Sequence, residues 1–341
     1  MNIKEVARRA KVSVATVSRV LNHPDKVRPE TRDAILRVIQ EMEYTPNWFA
    51  RNLNLKTTNT LAILIPTIES PLYQKMIAGI EAIANERNYT LILCNTNRDP
   101  ATERRHLSAL MDRKVDGLIM TSSSLSIEEL NSLALDHMPH AVISQEDGYT
   151  TLNRCYINFE EGAYQMTRHL LDMNQEKKHQ RVHLFLDSHS LSRNRTIIQG
   201  VSRALADATQ QPATELYCPN DMNTPYVIAR NLIRRNELER LIVCSDDEIA
   251  LAIMRAIHEM GLTVPNDYAI VGLSNSIFAS MAQPPLTSME QPAKKLGMVA
   301  ARLLFDEIDG DPARLPVILQ SVMKIRRSCG NRKVIHELQE V

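Results

Sequence analysis

The alternation of short apolar runs with longer amphipathic stretches constrains the fold of this chain most strongly. From Leu61 onward, runs such as LAILIP and TLILCN alternate with segments whose apolar residues recur at helical spacing, such as YQKMIAGIEAIANERNY. Strands that alternate with helices form parallel sheets with helices on both faces. Two such series of similar length follow one another, so the sequence predicts an α/β body of two lobes with doubly wound parallel sheets.

The distribution of charged residues separates an N-terminal segment from the rest of the chain. Residues 1–56 hold eleven Lys and Arg against six Asp and Glu, whereas the rest of the chain holds 29 against 34. A basic segment attached to an acidic body favours a polyanionic partner for that segment. A solvated basic surface with no partner would give the same bias, so charge alone leaves both interpretations open.

The first 45 residues carry the pattern of three short helices. Apolar residues from Ile3 to Ala10 recur on one helical face, and Ser13 is placed to cap a second helix whose inner stripe is narrow. Thr31 is the predicted cap of a third helix. We expect that helix to direct the following side chains inward: Ala34, Ile35, Val38, Ile39 and Met42. Helix, tight turn, helix and supporting helix is the layout of a helix-turn-helix domain.

The outer face of the second helix differs from its inner stripe. It carries short or hydrogen-bonding side chains and one arginine: Val14, Ala15, Thr16, Ser18, Arg19 and Asn22. A DNA major groove, about 12 Å wide, admits a helix with such side chains. This face is therefore the candidate DNA-reading surface.

The segment from Ile3 to Leu53, IKEVARRAKVSVATVSRVLN…VRPETRDAILRVIQEMEYTPNWFARNL, resembles the N-terminus of the LacI/GalR family of bacterial transcription regulators. The resemblance implies that Val14, Ala15 and Arg19 meet base edges. It also implies mainly phosphate-side contacts for four further residues: Thr16, Ser18, Asn22 and Thr31. Contacts of the first kind select a DNA sequence, and contacts of the second kind fix the register on the backbone.

The same resemblance implies that residues 46–58 are a hinge helix and linker. In the family this segment orders over the minor groove when two subunits meet. Leu53 would then be a wedge between central base pairs, with Ala50 beside it in the groove, and apolar wedges of this kind bend the duplex. The alternative is that Leu53 packs on the body.

The resemblance extends over nearly the whole chain and gives its domain organisation. Residues 1–45 would be the helix-turn-helix domain, and residues 59–341 would be an effector-binding and dimerisation body with the fold of periplasmic binding proteins. The expected ranges are about 59–158 and 289–319 for lobe 1, and about 159–288 and 320–341 for lobe 2. The three crossings between lobes would lie near Asn158, Ser288 and Gln320.

An effector site is expected between the lobes. Ligands of open α/β folds collect beyond the carboxyl ends of the strands, where this chain places many polar residues. The candidate effector-binding residues are Ser70, Tyr73, Ser144, Arg193, Arg195, Asp246, Ser274 and Gln291. The alternative is that polar residues at strand ends only cap helices.

Two departures from the family concern this site. Many sugar-responsive members have Arg three residues before a helix glycine, where this chain has Ile197 before Gly200, and many read GxDD where it reads GLSN at Gly272–Asn275. A plain hexose is therefore not expected to be held in the usual way. Arg193 and Arg195 could bind an anionic ligand such as a sugar phosphate or sugar acid, the pocket could take something else, or the two arginines could lie in a solvated loop.

Signatures of catalysis, metal binding and membrane insertion are missing from the sequence. Every glycine is isolated, which excludes a dinucleotide or P-loop fingerprint, and neither HExxH nor GxSxG occurs. Asp246 and Asp247 are interpreted as helix caps rather than as paired catalytic carboxylates. The five cysteines show no CxxC spacing, which favours a reducing cytosol without structural zinc or disulfides. The apolar runs, such as Leu61–Ile65, are all too short to cross a bilayer.

The expected protein is a cytoplasmic, homodimeric transcriptional repressor, not an enzyme, with no cofactor. Two recognition helices would bind a near-palindromic operator under control of a small-molecule effector. A transport binding protein would share the two-lobed body, but it would need a signal peptide and would not need residues 1–56.

Overall fold

The computed structural model describes residues 3–22, 24–42, 57–121, 123–132, 138–144, 153–174, 181–208, 210–311 and 315–330. The chain divides into two compact units. One comprises Met1–Thr60 with Lys114–Asp116, and the other comprises Leu61–Arg113 with Gly117–Val341.

The N-terminal unit is helical in its first part. Its elements are α1 (Ile3–Arg9), α2 (Val14–Asn22), a 3₁₀ turn (Pro24–Lys26) and α3 (Pro29–Glu41). These helices enclose a small core of their own, made of Val6, Ala7, Val17, Val20, Ile35 and Met42. The predicted helix-turn-helix layout is confirmed.

The turn between α1 and α2 is closed by local hydrogen bonds. Lys11 adopts a left-handed conformation with φ of 53°, at a cost of about 1 kcal/mol for a residue with a Cβ. The Val12 amide donates to the Ala7 carbonyl at 3.0 Å, which closes the turn. The Thr16 amide donates to Ser13 Oγ at 3.1 Å, so Ser13 caps α2 as predicted.

The start of α3 differs from the prediction. The helix begins at Pro29 with Arg28 at the N-cap position, and no side chain caps it. Thr31 therefore lies inside the first turn, because a proline at the first helical position fixes the backbone dihedral that the helix needs. Ala34 is exposed rather than inward, whereas Ile35 is fully buried.

The first series of the body builds lobe 1. Its elements in chain order are β1 (Thr60–Ile65), α4 (Pro71–Glu86), β2 (Thr90–Asn95), α5 (Pro100–Asp112), β3 (Gly117–Met120), α6 (Ile127–Ser132), β4 (His140–Ile143) and β5 (Arg154–Ile157). The strands β1, β3, β4 and β5 pair in parallel along one sheet. Because this sheet is covered by helices, β1 is buried along its whole length.

The second series builds lobe 2. Its elements are α7 (Phe159–Asp172), β6 (Val182–Asp187), α8 (Leu191–Asp207), β7 (Thr214–Cys218), α9 (Thr224–Arg234), β8 (Leu241–Cys244), α10 (Asp247–Glu259), β9 (Ala269–Gly272) and β10 (Thr287–Glu290). The chain then returns through α11 (Ala293–Ile308), β11 (Val317–Leu319) and β12 (Val322–Lys324).

Each lobe contains a six-stranded sheet among the described residues. The strand orders are β11-β5-β4-β3-β1-β2 and β12-β10-β9-β8-β6-β7. The strand β12 runs antiparallel to β10, whereas β6 to β10 pair in parallel. The prediction of two doubly wound lobes is confirmed, with one antiparallel edge strand added.

The chain passes between the sheets three times. It leaves the first sheet after Ile157, returns after Glu290 and crosses again between Leu319 and Val322. The second crossing was expected near Ser288, but Ser288 lies inside β10 and pairs with Gly272 and Lys324. Lobe 2 therefore continues to the end of β10.

Helices α4 and α11 cross at two glycines. A Cβ on Gly297 would lie 2.1 Å from the Met76 carbonyl oxygen, and a Cβ on Gly79 would lie 2.0 Å from the Lys294 carbonyl oxygen. The two backbones can approach this closely only because neither residue has a side chain.

Gly297→Ala is expected to lower the free energy of unfolding by about 3 kcal/mol, because backbone atoms cannot rotate away from the added methyl group. Urea unfolding of the full-length protein measures the effect. Gly162→Ala is the control, since a Cβ there would meet its nearest neighbour at 3.5 Å and alanine favours a helix by about 1 kcal/mol. Equal losses in both variants would contradict the assigned crossing.

Candidate functional site

The outer face of α2 presents the predicted base-contacting side chains to solvent. Val14 is 39% exposed, and Ala15 and Arg19 are exposed as well. Ala15 and Arg19 stand four residues apart, so they lie on the same helical face. Thr16 and Ser18 are half-buried beside them.

Arg19 has an uncommitted guanidinium. It forms no hydrogen bond or ion pair with the described part of the chain, in contrast to Arg8, which pairs with Glu5. The surrounding cations are also exposed, namely Lys4, Arg8, Arg9, Lys11, Lys26 and Arg28. An exposed arginine without such a partner can form bidentate hydrogen bonds to a guanine edge.

The remaining predicted DNA contacts have different outcomes. Thr31 is half-buried in the first turn of α3. Asn22 ends α2, but its side chain lies outside what the structure describes. Ala50 and Leu53 also lie outside the described residues, so the minor-groove wedge stays a prediction.

A cleft of about 910 Å³ lies between the two lobes of the body. Six of the eight predicted effector residues line it. Ser70, Tyr73 and Ser144 come from lobe 1, and Arg193, Arg195 and Asp246 come from lobe 2. The cleft is large enough for a mono- or disaccharide-sized ligand.

Arg193 and Asp246 form a bidentate ion pair in the wall of the cleft. The two Arg193 Nη atoms donate to the Asp246 carboxylate at 3.1 and 2.6 Å. Their side chains are only 15% and 10% exposed. Burial alone would lower the pKa of Arg193, but the charge and hydrogen bonds of Asp246 outweigh burial and raise that pKa. Arg193 therefore stays charged, and that charge is already balanced.

Asp187 is a cleft residue that sequence reasoning missed. Its carboxylate accepts from Ser190 Oγ at 2.6 Å and from the His189 amide at 3.1 Å. Burial favours a raised pKa for Asp187, but these hydrogen bonds and the charge of Arg193 outweigh it, so the pKa is lowered. Its position as the last residue of β6 was the available signal.

The described part of the cleft lining carries more carboxylates than guanidinium groups. Four carboxylates face three guanidinium groups: Glu69, Asp187, Asp246 and Glu248 against Arg98, Arg193 and Arg195. The pKa of Glu248 is raised, and burial is the largest cause of that change. The described lining therefore has one carboxylate more than it has guanidinium groups.

Two predicted effector residues lie beneath the cleft rather than in its lining. Ser274 Oγ accepts from the Asp247 amide at 3.0 Å. Gln291 is buried, and its Nε2 donates to the Leu273 carbonyl. Both side chains are thus engaged in holding the segments between β9, β10 and α10, which corrects their assignment.

Other expectations about lobe 2 are corrected as well. Arg193 and Arg195 are the third and fifth residues of α8 rather than members of a loop, and Arg195 is exposed. Asp246 occupies the N-cap position of α10 without capping it, because its carboxylate binds Arg193. Ile197 is fully buried in the core of lobe 2, so it offers the cleft nothing polar.

Asp247 organises the polar layer beneath the cleft. Its carboxylate accepts from Ser288 Oγ at 2.6 Å and from the Ser276 amide at 2.7 Å. Burial raises the pKa of Asp247, although these hydrogen bonds oppose the change. No basic side chain pairs with it among the described residues, so its role is to fix the GLSN segment to α10.

The described residues contain no group of three or more His, Cys, Asp or Glu residues placed to hold a metal ion. They also contain no helix with the length and apolarity needed to cross a bilayer.

Known proteins resemble both parts of this chain. Residues 2–47 match the family described as bacterial regulatory proteins, lacI family, and residues 169–329 match the periplasmic binding protein-like domain. The HTH-type transcriptional regulator DegA of Bacillus subtilis (strain 168) is 32% identical over 300 residues, covering 86% of this chain and 88% of DegA. The ribose operon repressor of Halalkalibacterium halodurans is 32% identical over 314 residues, covering 91% of each chain.

A solved structure gives the same fold. The Lac repressor dimer, bound to operator and the anti-inducer ONPF, superposes with a TM-score of 0.84 at 23% identity. The match covers 96% of this chain and 99% of that chain. The helix-turn-helix unit, the two-lobed body and relatives that match nearly end to end lead to one conclusion: the chain belongs to the LacI family of bacterial transcriptional regulators.

Proposed function

We propose that this protein is a homodimeric, sequence-specific repressor whose operator binding is controlled by a neutral polyhydroxy compound bound in the cleft. One observation carries the effector assignment: Arg193, the most buried cation of the cleft, already forms a bidentate ion pair with Asp246. Named relatives support the rest, since one is a ribose operon repressor and another was solved as a dimer on its operator.

The DNA-binding part of the proposal rests on α2. Its outer face combines apolar contacts from Val14 and Ala15 with the uncommitted guanidinium of Arg19. Apolar groups suit a thymine methyl and a guanidinium suits guanine, so the half-site is expected to contain both. Two subunits related by a two-fold axis would require a near-palindromic operator.

The effector class follows from charge. A phosphate or carboxylate ligand would have to displace Asp246 from Arg193 or approach a lining with an excess of carboxylates. A polyhydroxy ligand needs neither, because its hydroxyls can donate to Asp187 and Asp246 and accept from the guanidinium groups. The earlier alternative of a sugar phosphate is therefore less favourable.

The coupling between cleft and DNA would act through the lobes. A ligand that binds one relative orientation of the lobes better than another shifts the population towards that orientation. Coupling energies of roughly 1–3 kcal/mol are typical of such systems and correspond to 5- to 150-fold changes in affinity. We place this activity in the cytoplasm and propose no enzymatic step, in keeping with relatives that are regulators.

A change in operator affinity on addition of a neutral sugar, either release or tighter binding, is the expected result of the decisive experiment. Fluorescence anisotropy measures binding of full-length protein to DNA fragments from upstream of its own gene. Each measurement is made with and without ribose, cellobiose and their phosphorylated or oxidised counterparts. Isothermal titration with the same compounds gives the affinities. We expect heat and an affinity change only with a neutral member.

Two results would contradict different parts of the proposal. Binding of phosphorylated sugars in preference to neutral ones would exclude the effector class and leave the regulator intact. Equal, salt-sensitive affinity for every duplex, with no preferred sequence, would exclude the regulator itself.

A further inference from the structure

The carboxylate of Asp116 accepts three hydrogen bonds from the residues that precede β1. Asp116 lies in the connection between α5 and β3. Its Oδ1 accepts from the Thr58 amide at 2.7 Å and from the Thr58 hydroxyl at 2.8 Å, and its Oδ2 accepts from the Asn59 amide at 2.7 Å. We call these three contacts the linker anchor. Hydrogen bonds to a charged acceptor are about twice as strong as neutral ones, so the linker anchor restrains residues 58 and 59.

Further hydrogen bonds connect the same two segments. The Thr58 hydroxyl also lies 3.3 Å from the Lys114 carbonyl oxygen. The Asp116 amide donates to the Thr60 carbonyl at 2.9 Å, and the Thr60 hydroxyl donates to the Thr58 carbonyl at 3.1 Å. These bonds account for the grouping of Lys114–Asp116 with the N-terminal unit rather than with the rest of lobe 1.

The linker anchor depends on a carboxylate. An ionised Asp accepts at both oxygens, whereas the carboxamide of Asn replaces one acceptor with an N–H group that would face a donor. Asn59 adopts a left-handed φ of 48°, a conformation that asparagine tolerates better than most residues. In this conformation the amides of two successive residues reach the same side chain, so the loss of one carboxylate releases both.

The two strands that follow the linker anchor along the chain lead to the cleft. The strand β1 begins at Thr60 and β3 begins at Gly117, and the two pair in parallel from Leu61 to Leu64. Both are buried along their whole length. Residues that follow the two strands line the cleft, namely Pro66, Thr67, Thr121, Ser123 and Ser124. A buried strand pair therefore connects the anchored residues with the proposed effector site.

We propose that Asp116 is a positioning residue for operator binding. It does not contact DNA in this role, because it acts by fixing residues 58 and 59 of each subunit before DNA arrives. The conformational entropy of ordering these residues is then not subtracted from the operator affinity. The inference rests on the proposed repressor function, and it adds a route by which β1 and β3 transmit a change in the cleft to residues 58 and 59.

Hydrogen exchange of full-length protein tests the linker anchor without DNA. Asp116→Asn keeps the shape of the side chain and is expected to accelerate exchange of the Thr58 and Asn59 amides at least about tenfold, since both lose their charged acceptor. Mass spectrometry of peptides that contain residues 57–62 measures the rates. Asp112→Asn is the matched control, because Asp112 is exposed at the end of α5, and no change is expected there.

Fluorescence anisotropy tests the effect on operator binding. It compares the upstream DNA fragment that wild-type protein prefers with a shuffled duplex of the same length and composition. Asp116→Asn is expected to weaken binding of the preferred fragment about tenfold, because residues 58 and 59 of two subunits must then be ordered on the DNA. Binding of the shuffled duplex is expected to stay within about twofold, since the basic surface of the N-terminal helices is unchanged.

Substitutions of Thr58 test the same contact with Asp116 intact. Thr58→Val removes the hydroxyl and is expected to weaken operator binding about threefold, whereas Thr58→Ser keeps the hydroxyl and is expected to match wild type. Asp116→Asn combined with Thr58→Val is expected to bind no more weakly than Asp116→Asn alone, because both changes affect one contact. Circular dichroism checks folding. If Asp116→Asn fails to fold, the two Thr58 variants decide the proposal.

Three results would overturn this proposal alone: wild-type operator affinity in Asp116→Asn, equal losses in the Asp112 and Asp116 variants, or equal losses on the preferred and shuffled duplexes. Equal affinities of Thr58→Val and Thr58→Ser would overturn it as well. A wild-type protein that prefers no fragment would instead contradict the proposed repressor function, and this inference with it.

Discussion

Protein that lacks residues 1–57 is expected to lose operator binding by at least about a thousandfold, the usual ratio between specific and non-specific affinity, and to remain folded. The truncation removes the complete small core of α1, α2 and α3. It removes no member of the three larger core clusters, which contain no residue before Leu61. It also keeps Thr58, whose amide donates to Asp116 at 2.7 Å.

The measurement combines fluorescence anisotropy on operator DNA with sugar titration of the same sample. The truncated body is expected to bind the effector with unchanged affinity, because every described residue of the cleft lining is retained. A truncated protein that still shifts operator DNA would place the DNA-binding surface elsewhere in the chain.

Truncation alone does not separate α2 from its neighbours, so a point variant accompanies it. Arg19→Ala is expected to cost about 1–3 kcal/mol of operator binding and to relax the preference at one base pair. Arg37→Ala is the matched control: Arg37 is exposed on α3, and its Nε donates to the Asp33 carbonyl at 3.4 Å. A loss of the same size in both would mean that Arg19 contributes only charge.

The sequence predicted the body well because its strands are short apolar runs. A strand buried on both faces, such as LAILI in β1, admits almost no polar residue, so its position is evident from composition alone. The same reasoning failed at β10, where the residues TSME mix polar and apolar side chains. Ser288 looked like a connection between lobes, although it is a buried strand residue whose hydroxyl binds Asp247.

The first residue of a helix was predicted correctly where the sequence contained only one helix-start signal. Ser13 stands immediately before α2 with no competing signal, and it caps that helix. At α3 two signals conflict, since Thr31 is a good cap but Pro29 is a good first helical residue. Proline prevailed because its fixed φ applies from the start of the helix, whereas a hydroxyl cap contributes only about 1 kcal/mol.

The position of the cleft could be predicted from the sequence, but the balance of charges in its lining could not. Strand ends located Asp246, Ser144 and Ser70, because parallel strands bring their carboxyl ends to one edge. No local pattern indicated that Arg193 would meet Asp246, 53 residues later in the chain. That pairing decides whether the arginine is available to an anion, and it depends on the packing of α8 against the start of α10.

Asp246→Asn is expected to lower the free energy of unfolding by about 3 kcal/mol. The substitution keeps the shape of the side chain and an acceptor oxygen but removes the charge that balances Arg193. Breaking a buried ion pair on one side leaves an uncompensated charge, which costs about 3–5 kcal/mol. The lower end applies here because the pair borders a cleft open to water, with the Arg193 side chain 15% exposed.

The companion variants test the origin of that loss. Adding Arg193→Met to Asp246→Asn is expected to recover most of the stability, because the unpaired charge is then gone. Asp306→Asn, at an exposed position of α11, is expected to stay within about 0.5 kcal/mol of wild type. Urea unfolding at one fixed protein concentration measures all four proteins, since the apparent stability of a dimer depends on concentration.

The same substitution is expected to shift the ligand preference of the cleft towards anionic compounds. With Asp246 neutral, Arg193 becomes available as an anion-binding group, so Asp246→Asn should bind a phosphorylated sugar about tenfold more tightly than wild-type protein does. Isothermal titration of both proteins with the same compound gives this ratio. Full stability together with unchanged ligand preference would mean that the ion pair neither supports lobe 2 nor selects the effector, and the charge argument for a neutral effector would then fail.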